Sequence, residues 1–110
     1  MKHLRGQLDR TFAALGDPTR RAILARLAQE PGLSVSELAR PFLLKLPAIM
    51  KHLDVLDGAG LIARRKTGRT VNVTLTPEPI EEAMAWLRGT EQFWSASLDR
   101  LAAFVEESSE

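Results

Sequence analysis

The sequence contains no cysteine and only two histidines among its 110 residues. The first absence excludes disulfide bonds, thiolate metal ligands and cysteine nucleophiles. Because His3 and His52 are the only imidazoles, we expect neither a metal site nor any other cofactor. No run of eighteen apolar residues occurs, and the first fifteen residues lack the apolar segment of an export signal. The sequence therefore predicts a cytoplasmic protein without a membrane span.

The residue patterns of common catalytic sites are also missing. Carboxylates occur, but no Ser-His-Asp order, phosphate-binding glycine loop or metal triad accompanies them. His52 is the sole candidate base near a basic patch. We therefore predict that the protein is not an enzyme.

Apolar residues make up 45% of the chain and charged residues 26%, which is typical of a globular protein with one modest core. We predict a single domain over residues 1–110. Its charge is uneven, since residues 1–75 contain thirteen Lys and Arg against six Asp and Glu, whereas residues 76–110 contain two against eight. A basic body with an acidic tail favours a polyanion as partner of the first part and protein as partner of the second. Chance is the alternative explanation.

Apolar periodicity predicts five helices, and local signals mark their ends. Asp17 before Pro18 is typical of a helix start, and Ser34 with Glu37 three residues later has the spacing of a capping box. Gly58 and Gly60 mark the end of the fourth helix. The first four predicted helices are about residues 8–15, a segment from Asp17 to Pro31, a short segment from Ser34 to Pro41, and residues 46–57.

The period changes after Leu61, where two extended runs flank a turn with Gly68 at its tip, as in a β-hairpin. After Thr76 and Pro77, read as N-cap and first helical residue, a final helix runs to about Glu107. Its apolar residues repeat every four and three positions, a heptad seam interrupted by Glu91. About thirty residues span ~45 Å, which exceeds what one small core covers. We therefore expect another chain on this seam.

Two short helices joined by "PFLLK" and followed by a basic hairpin predict a winged helix-turn-helix. The fold class is thus mainly α with a β-hairpin wing, comprising a body of residues 8–76 and a dimerisation helix of residues 77–107. In this geometry the fourth helix enters the DNA major groove and the hairpin lies on the adjacent backbone or minor groove. The stripe around Ile49 is expected to be buried, which turns a small, apolar and basic face outward.

We predict DNA contacts from that face and from the hairpin, because small side chains allow close approach to base edges and cations pair with phosphates. Each residue also has a structural interpretation: His52 can bond within the helix pair, and the hairpin cations can serve solubility and edge protection. Arg20 and Arg21 are interpreted as solvated helix residues or partners of acidic side chains, with contact to the DNA backbone as the alternative. The predicted DNA-binding residues are Lys45, Pro47, Ala48, Met50, Lys51, His52, Val55, Arg64, Lys66 and Arg69.

The segments "LGDPTRRAILARLA", "SVSELARPF", "LPAIMKHLDVLDGAGLI" and "RRKTGRTVNVTL" together resemble the ArsR-type family of winged-helix transcriptional repressors, in the branch without the cysteine metal site. The resemblance covers about residues 8–75. It implies a homodimer built from the first and last helices, operator binding by the fourth helix and the hairpin, and repression that a signal relieves. Two recognition helices about one duplex turn apart in such a dimer predict a palindromic operator. The predicted dimer interface, which the heptad seam supports independently, comprises Leu8, Phe12, Met84, Leu87, Trp94, Leu98, Leu101 and Val105.

The sequence departs from the family pattern at Lys45 and Met50, where relatives often have serine. Lys45 is a poor N-cap but can reach a phosphate, which would shift binding toward the salt-dependent, nonspecific component. An alternative function is a protein-interaction module that uses the winged helix as a scaffold. A third hypothesis adds a small apolar effector between subunits, next to Trp86 and Phe93.

Overall fold

The structure is a computed structural model that describes residues 2–108; residues 1, 109 and 110 of the predicted domain lie outside the described range. Over this range the chain forms five helices and three strands, which confirms the predicted fold class. In chain order they are α1 (Lys2–Leu15), α2 (Pro18–Gln29), β1 (Leu33–Ser34), α3 (Val35–Ala39), α4 (Leu46–Gly58), β2 (Ile62–Thr67), β3 (Thr70–Leu75) and α5 (Glu78–Ser108).

Side-chain caps start α2 and α3 where the sequence predicts them. The Asp17 carboxylate accepts a hydrogen bond from the backbone N–H of Arg20 at 3.0 Å. In the capping box of α3, the N–H of Glu37 donates to Ser34 Oγ at 3.2 Å, and the N–H of Ser34 donates to Glu37 Oε1 at 3.3 Å. These bonds satisfy N–H groups that a helix start leaves without a partner.

Helix α4 ends in a Schellman motif that depends on Gly60. This glycine has φ of +75°, a left-handed conformation that L side chains rarely adopt. Its N–H donates to the carbonyl of Asp57, and the N–H of Leu61 donates to that of Leu56, both at 2.9 Å. The motif turns the chain sharply from α4 into the wing, as the paired glycines predict.

The sheet contains a short strand that the periodicity does not predict. Its order is β1-β3-β2, all antiparallel, with Leu33 opposite Val73 and Arg64 also opposite Val73 on the other side. Two residues are too few to show an alternating pattern, so β1 is visible only from its pairing with the predicted hairpin. The outer helices also differ from expectation: α1 begins at Lys2, earlier than Leu8, and α5 begins at Glu78, one residue later than expected.

The core lies between α2, α3, α4 and the sheet. Side chains with no exposed surface come from each of these helices and from β3, among them Ile23, Leu38, Leu53 and Val73. Helix α5 contributes Ala83 to the buried residues, and Ile80 packs beside them. No helix within residues 2–108 combines the length and apolar character needed to cross a bilayer.

Most of α5 extends away from this core. The molecule measures 71 × 34 × 21 Å, and its radius of gyration is 19.1 Å, against ~13 Å for a compact chain of this length. Contacts between α1 and α5 join the helix to the body near its beginning. The remaining turns of α5 are therefore not covered by the chain's own core.

Candidate nucleic-acid interface

Helix α4 buries one face and exposes the opposite one, as its sequence predicts. Ile49, Leu53 and Leu56 have no exposed surface. Pro47, Lys51 and Val55 are exposed, and Ala48 is half-buried at the margin of the exposed face. The outer surface of α4 therefore has small apolar groups around one lysine, with the exposed side chains of Leu46 at its start and Asp54 toward the wing.

Met50 and His52 lie on the two flanks of α4, and both are half-buried. Met50 faces the wing, where it lines a cavity of about 300 Å³. The other lining residues come from the start of α3, the beginning of α4 and the hairpin: Ser34, Val35, Ser36, Leu46, Arg69, Thr70 and Val71. Since one cavity joins these elements, the beginning of α4 and the wing lie side by side on the molecule.

His52 faces α2 rather than solvent. Its Nδ1 atom lies 3.8 Å from Asp17 Oδ2 and 3.5 Å from Nη1 of Arg20. The backbone N–H of Arg20 lowers the pKa of Asp17, and the nearby His52 contributes in the same direction. Because the carboxylate stays ionised, it offers His52 an acceptor or an ion-pair partner within the protein.

The arginines at the start of α2 bond to the end of α1. Arg20 Nε donates to the carbonyl of Ala14 at 2.7 Å, and Arg20 Nη2 donates to that of Ala13 at 3.1 Å. Arg21 Nη1 donates to the carbonyl of Leu15 at 2.7 Å. The last turn of a helix leaves such carbonyls without partners, so both arginines hold α1 against α2.

The wing presents cations around a tight turn. Gly68 has φ of +63° at the first central position of a two-residue turn, where type II′ geometry requires glycine. Arg65, Lys66 and Arg69 are exposed. Within the described part of the chain, no hydrogen bond or ion pair engages these three side chains, nor those of Lys45 and Lys51. All five cations are therefore available to an anionic partner.

Arg64, also on the wing, differs from its neighbours because it is bound to α4. Its Nε and Nη2 atoms both lie 2.9 Å from Asp57 Oδ2, and its Nη1 donates to Asp54 Oδ1 at 2.8 Å. The hydrogen bond to Asp54 raises the pKa of Arg64 further. The structure thus places most of the other predicted DNA-binding residues on or beside an open surface, His52 on the flank of α4 toward α2, and Arg64 in an internal bridge.

A second surface contains the residues predicted for a dimer interface. Phe12 and Leu8 are half-buried, and the Phe12 ring packs edge-on against Trp86 with ring centroids 5.7 Å apart. On α5 the predicted residues are exposed, with 60% of Leu98 and 57% of Trp94 accessible. The exposed large apolar residues of α5 are Met84, Trp86, Leu87, Phe93, Trp94, Leu98, Leu101, Phe104 and Val105.

Sequence reasoning did not single out every exposed residue. It considers Arg65 only as a member of the hairpin's basic cluster, and the structure shows it exposed next to Arg64 and opposite Asn72 of β3. Phe104 precedes a seam residue by one position, as Trp86 and Phe93 do, and this spacing would have identified it. Leu43 in the turn before α4 is fully exposed, and nothing in its surroundings explains why it is apolar.

Comparisons with known proteins agree with this geometry. Residues 15–65 match the family described as helix-turn-helix domain. The chain is 39% identical to the HTH-type transcriptional regulator Rv2034 of Mycobacterium tuberculosis, over 89% of this chain and 88% of that protein. A crystal structure of the ArsR family transcriptional regulator RHA00566 superimposes with a TM-score of 0.76 at 43% identity, over 83% of this chain and 93% of that one. The chain belongs to the ArsR family of transcriptional regulators.

A further relative is the transcriptional repressor SdpR of Bacillus subtilis, which is 28% identical over 73% of this chain and 88% of that protein. The winged helix-turn-helix of this ArsR-family chain is its DNA-binding domain. Among residues 2–108, no group of three His, Cys, Asp or Glu side chains is placed to hold a metal ion.

Proposed function

We propose that the protein is a homodimeric repressor that binds a palindromic DNA operator through α4 and the wing. Residues 8–76 form the DNA-binding body and residues 77–107 the dimerisation helix of a single domain. Arg64 is set apart from the DNA contacts because its guanidinium is bound to α4. The contacts that we propose for DNA are those of Lys45, Pro47, Ala48, Met50, Lys51, His52, Val55, Lys66 and Arg69, to which we add the exposed Arg65 of the wing.

The observation that carries this proposal is the outer face of α4 beside the wing. Pro47, Ala48 and Val55 are small enough for the helix backbone to approach base edges, and the methyl of thymine is an apolar match for them. Lys51 projects from the same face, while Lys66 and Arg69 project from the neighbouring hairpin. Such an arrangement suits a helix in the major groove with cations on flanking phosphates.

The apolar face of α5 supports the dimer. Each leucine on this face would gain ~1.5–3 kcal/mol on full burial, so leaving the whole face in water is unfavourable. An isologous pairing of two α5 helices, with Phe12 and Leu8 of α1 at its margin, would cover it. Two α4 helices would then meet the DNA about one duplex turn apart, ~34–36 Å.

Selection of bound duplexes from a random-sequence pool at near-physiological salt tests the proposal. Enrichment of an inverted repeat with half-sites about one turn apart is the expected result. Transcription from a promoter that carries the enriched duplex should fall when the protein is present, as the name of the SdpR relative suggests. If no duplex is enriched and binding disappears as salt rises, the winged helix serves better as a scaffold for protein partners.

Two single substitutions distinguish recognition of base edges from binding to phosphates. Lys51→Ala should weaken the enriched duplex by ~1–3 kcal/mol more than an unrelated one if Lys51 contacts a guanine edge. Arg69→Ala should weaken both duplexes equally and flatten the plot of log affinity against log salt by about 0.9 for each phosphate that the protein no longer neutralises. Titrations at four salt concentrations measure both effects. An unchanged slope for Arg69→Ala would show that this residue does not bind phosphate.

A further inference from the structure

Arg64 connects the wing to the recognition helix at a defined point. Asp54 and Asp57 are three residues apart and therefore lie on the same side of α4, toward β2. The guanidinium of Arg64 is within 2.9 Å of a carboxylate oxygen of each. A planar fork with several donors suits two carboxylates at once, which a single ammonium group does not.

Because of the position of Arg64 in the sheet, this bridge can fix the orientation of the hairpin relative to α4. Arg64 lies opposite Val73 of β3, whose side chain is completely buried in the core. The next residues of β2 lead directly to the exposed cations of the turn. A bond at Arg64 therefore fixes where the hairpin leaves the body, and any rotation of the hairpin against α4 must break it.

We propose that Arg64 is a positioning residue for DNA recognition, which holds the wing at a fixed angle to α4, and that it does not contact phosphate. This inference rests on the proposed function, since it assigns a role within the same DNA-binding surface. It replaces the sequence-based hypothesis that Arg64 itself binds DNA. The role differs from that of Arg65, its neighbour on the opposite side of the strand, whose side chain is free.

The bridge also explains an acidic residue on the outer part of α4. The Asp54 side chain is 65% exposed, and a free carboxylate at that position would repel DNA phosphates. Arg64 offsets part of this negative charge and engages Asp54 Oδ1. The five free cations at α4 and the wing (Lys45, Lys51, Arg65, Lys66 and Arg69) would give a dimer that used all of them a log–log salt slope of about −9.

Arg64→Met and Asp57→Asn test the role, with Arg65→Met as the matched control one residue away. We expect both test variants to weaken the enriched duplex about fivefold, with the salt slope and the affinity for an unrelated duplex unchanged. The double variant should be no weaker than the weaker single one, because both changes break the same bridge. Arg65→Met should instead flatten the slope and weaken both duplexes alike.

The sign of the Asp57→Asn effect is informative. If the carboxylate merely repelled DNA, its removal would strengthen binding, and that result would overturn the proposal. A flatter salt slope for Arg64→Met would also overturn it, since the slope counts the phosphates that the protein neutralises. Thermal unfolding of each variant shows whether weaker binding reflects a failure to fold.

Amide hydrogen exchange of the free protein provides a readout that needs no DNA. Arg64→Met and Asp57→Asn should each accelerate exchange across residues 62–75 about threefold or more, and Arg65→Met should not. If the wild-type protein enriches no duplex, the proposed function fails while the exchange experiment still decides whether Arg64 fixes the wing. Unchanged exchange in both test variants would overturn the positioning role.

Discussion

The winged-helix body and helix α5 contain the same types of apolar residue but bury them to different extents. In the body, the large side chains at regular helical spacing are buried, and eight of the largest apolar ones have under 2% of their surface exposed. On α5, nine large apolar side chains are at least 43% exposed within the described residues. Apolar residues at the same helical spacing are therefore buried within the chain in the body but left exposed to solvent on α5.

The difference shows which region depends on another chain. The body has caps at α2 and α3, a Schellman motif after α4 and a closed set of core contacts, so its stability arises within one chain. Helix α5 is joined to the body near its beginning, through Ile80, Ala83 and the contact of Trp86 with Phe12, and its large apolar residues beyond Trp86 are exposed. Dimerisation should consequently determine the state of α5 while leaving the body largely unchanged.

The largest expected effect comes from breaking the apolar face of α5. Trp94→Asp with Leu98→Asp places two charges where a partner helix would pack, and unpaired buried charges are strongly unfavourable. The protein should become monomeric in sedimentation equilibrium. Its affinity for the enriched inverted repeat should fall by about 10²–10⁴, the usual advantage of two linked binding units over one.

Ala96→Asp is the matched control for this change, because residue 96 lies on the opposite face of α5 by helical spacing. It should leave both the dimer and the affinity unchanged. A monomeric double variant with full affinity would show that a single body suffices for recognition. A double variant that remained dimeric would move the interface away from this face.

The second prediction compares one leucine from each region in that monomeric background. Leu53→Ala should lower the free energy of unfolding by ~2–5 kcal/mol, because it opens a cavity in a fully buried site. Leu101 is already 57% exposed, so Leu101→Ala should change it by less than about 0.5 kcal/mol. Urea unfolding measures both. Similar decreases in the two variants would show that α5 folds onto the body without a partner chain.

Local signals in the sequence were sufficient to predict much of the body. Asp17, Ser34 and Gly60 each act through bonds within a few residues of their own positions, so a single sequence contains the information. The buried stripe of α4 follows in the same way from the spacing of Ile49 and Leu53. The face of α5 was also predictable, because its seam is longer than one small core can cover.

Contacts between distant segments were not predictable. Strand β1 forms because Leu33 pairs with Val73 of β3, and two residues are too few to show a pattern that predicts this pairing. The bridge from Arg64 to Asp54 and Asp57 requires the angle between wing and helix, which the core determines. In sequence alone, Arg64 is indistinguishable from Arg65, and both belong to one basic cluster.

The smallest expected effect is the difference in stability lost when a residue at the start of the shortest helix, α3, or of the longest helix, α5, is replaced. Helix α3 has five residues and relies on its capping box, so Ser34→Ala should cost about 1 kcal/mol. Helix α5 has 31 residues and begins two residues after Thr76, so Thr76→Ala should cost less than about 0.5 kcal/mol. Urea unfolding at pH 7 compares the two variants, and equal decreases in stability would contradict the difference.

The pH dependence of the Ser34→Ala effect identifies its cause. Hydrogen bonds from the Ser34 side chain and backbone lower the pKa of Glu37 in the folded state. A lowered folded pKa means that the ionised carboxylate stabilises the fold above its unfolded pKa, and that this contribution disappears as pH falls through the folded value. The stability gap between wild type and Ser34→Ala should therefore narrow between about pH 5 and pH 3. A gap that stays constant would assign the whole effect to the bond between Ser34 Oγ and the N–H of Glu37.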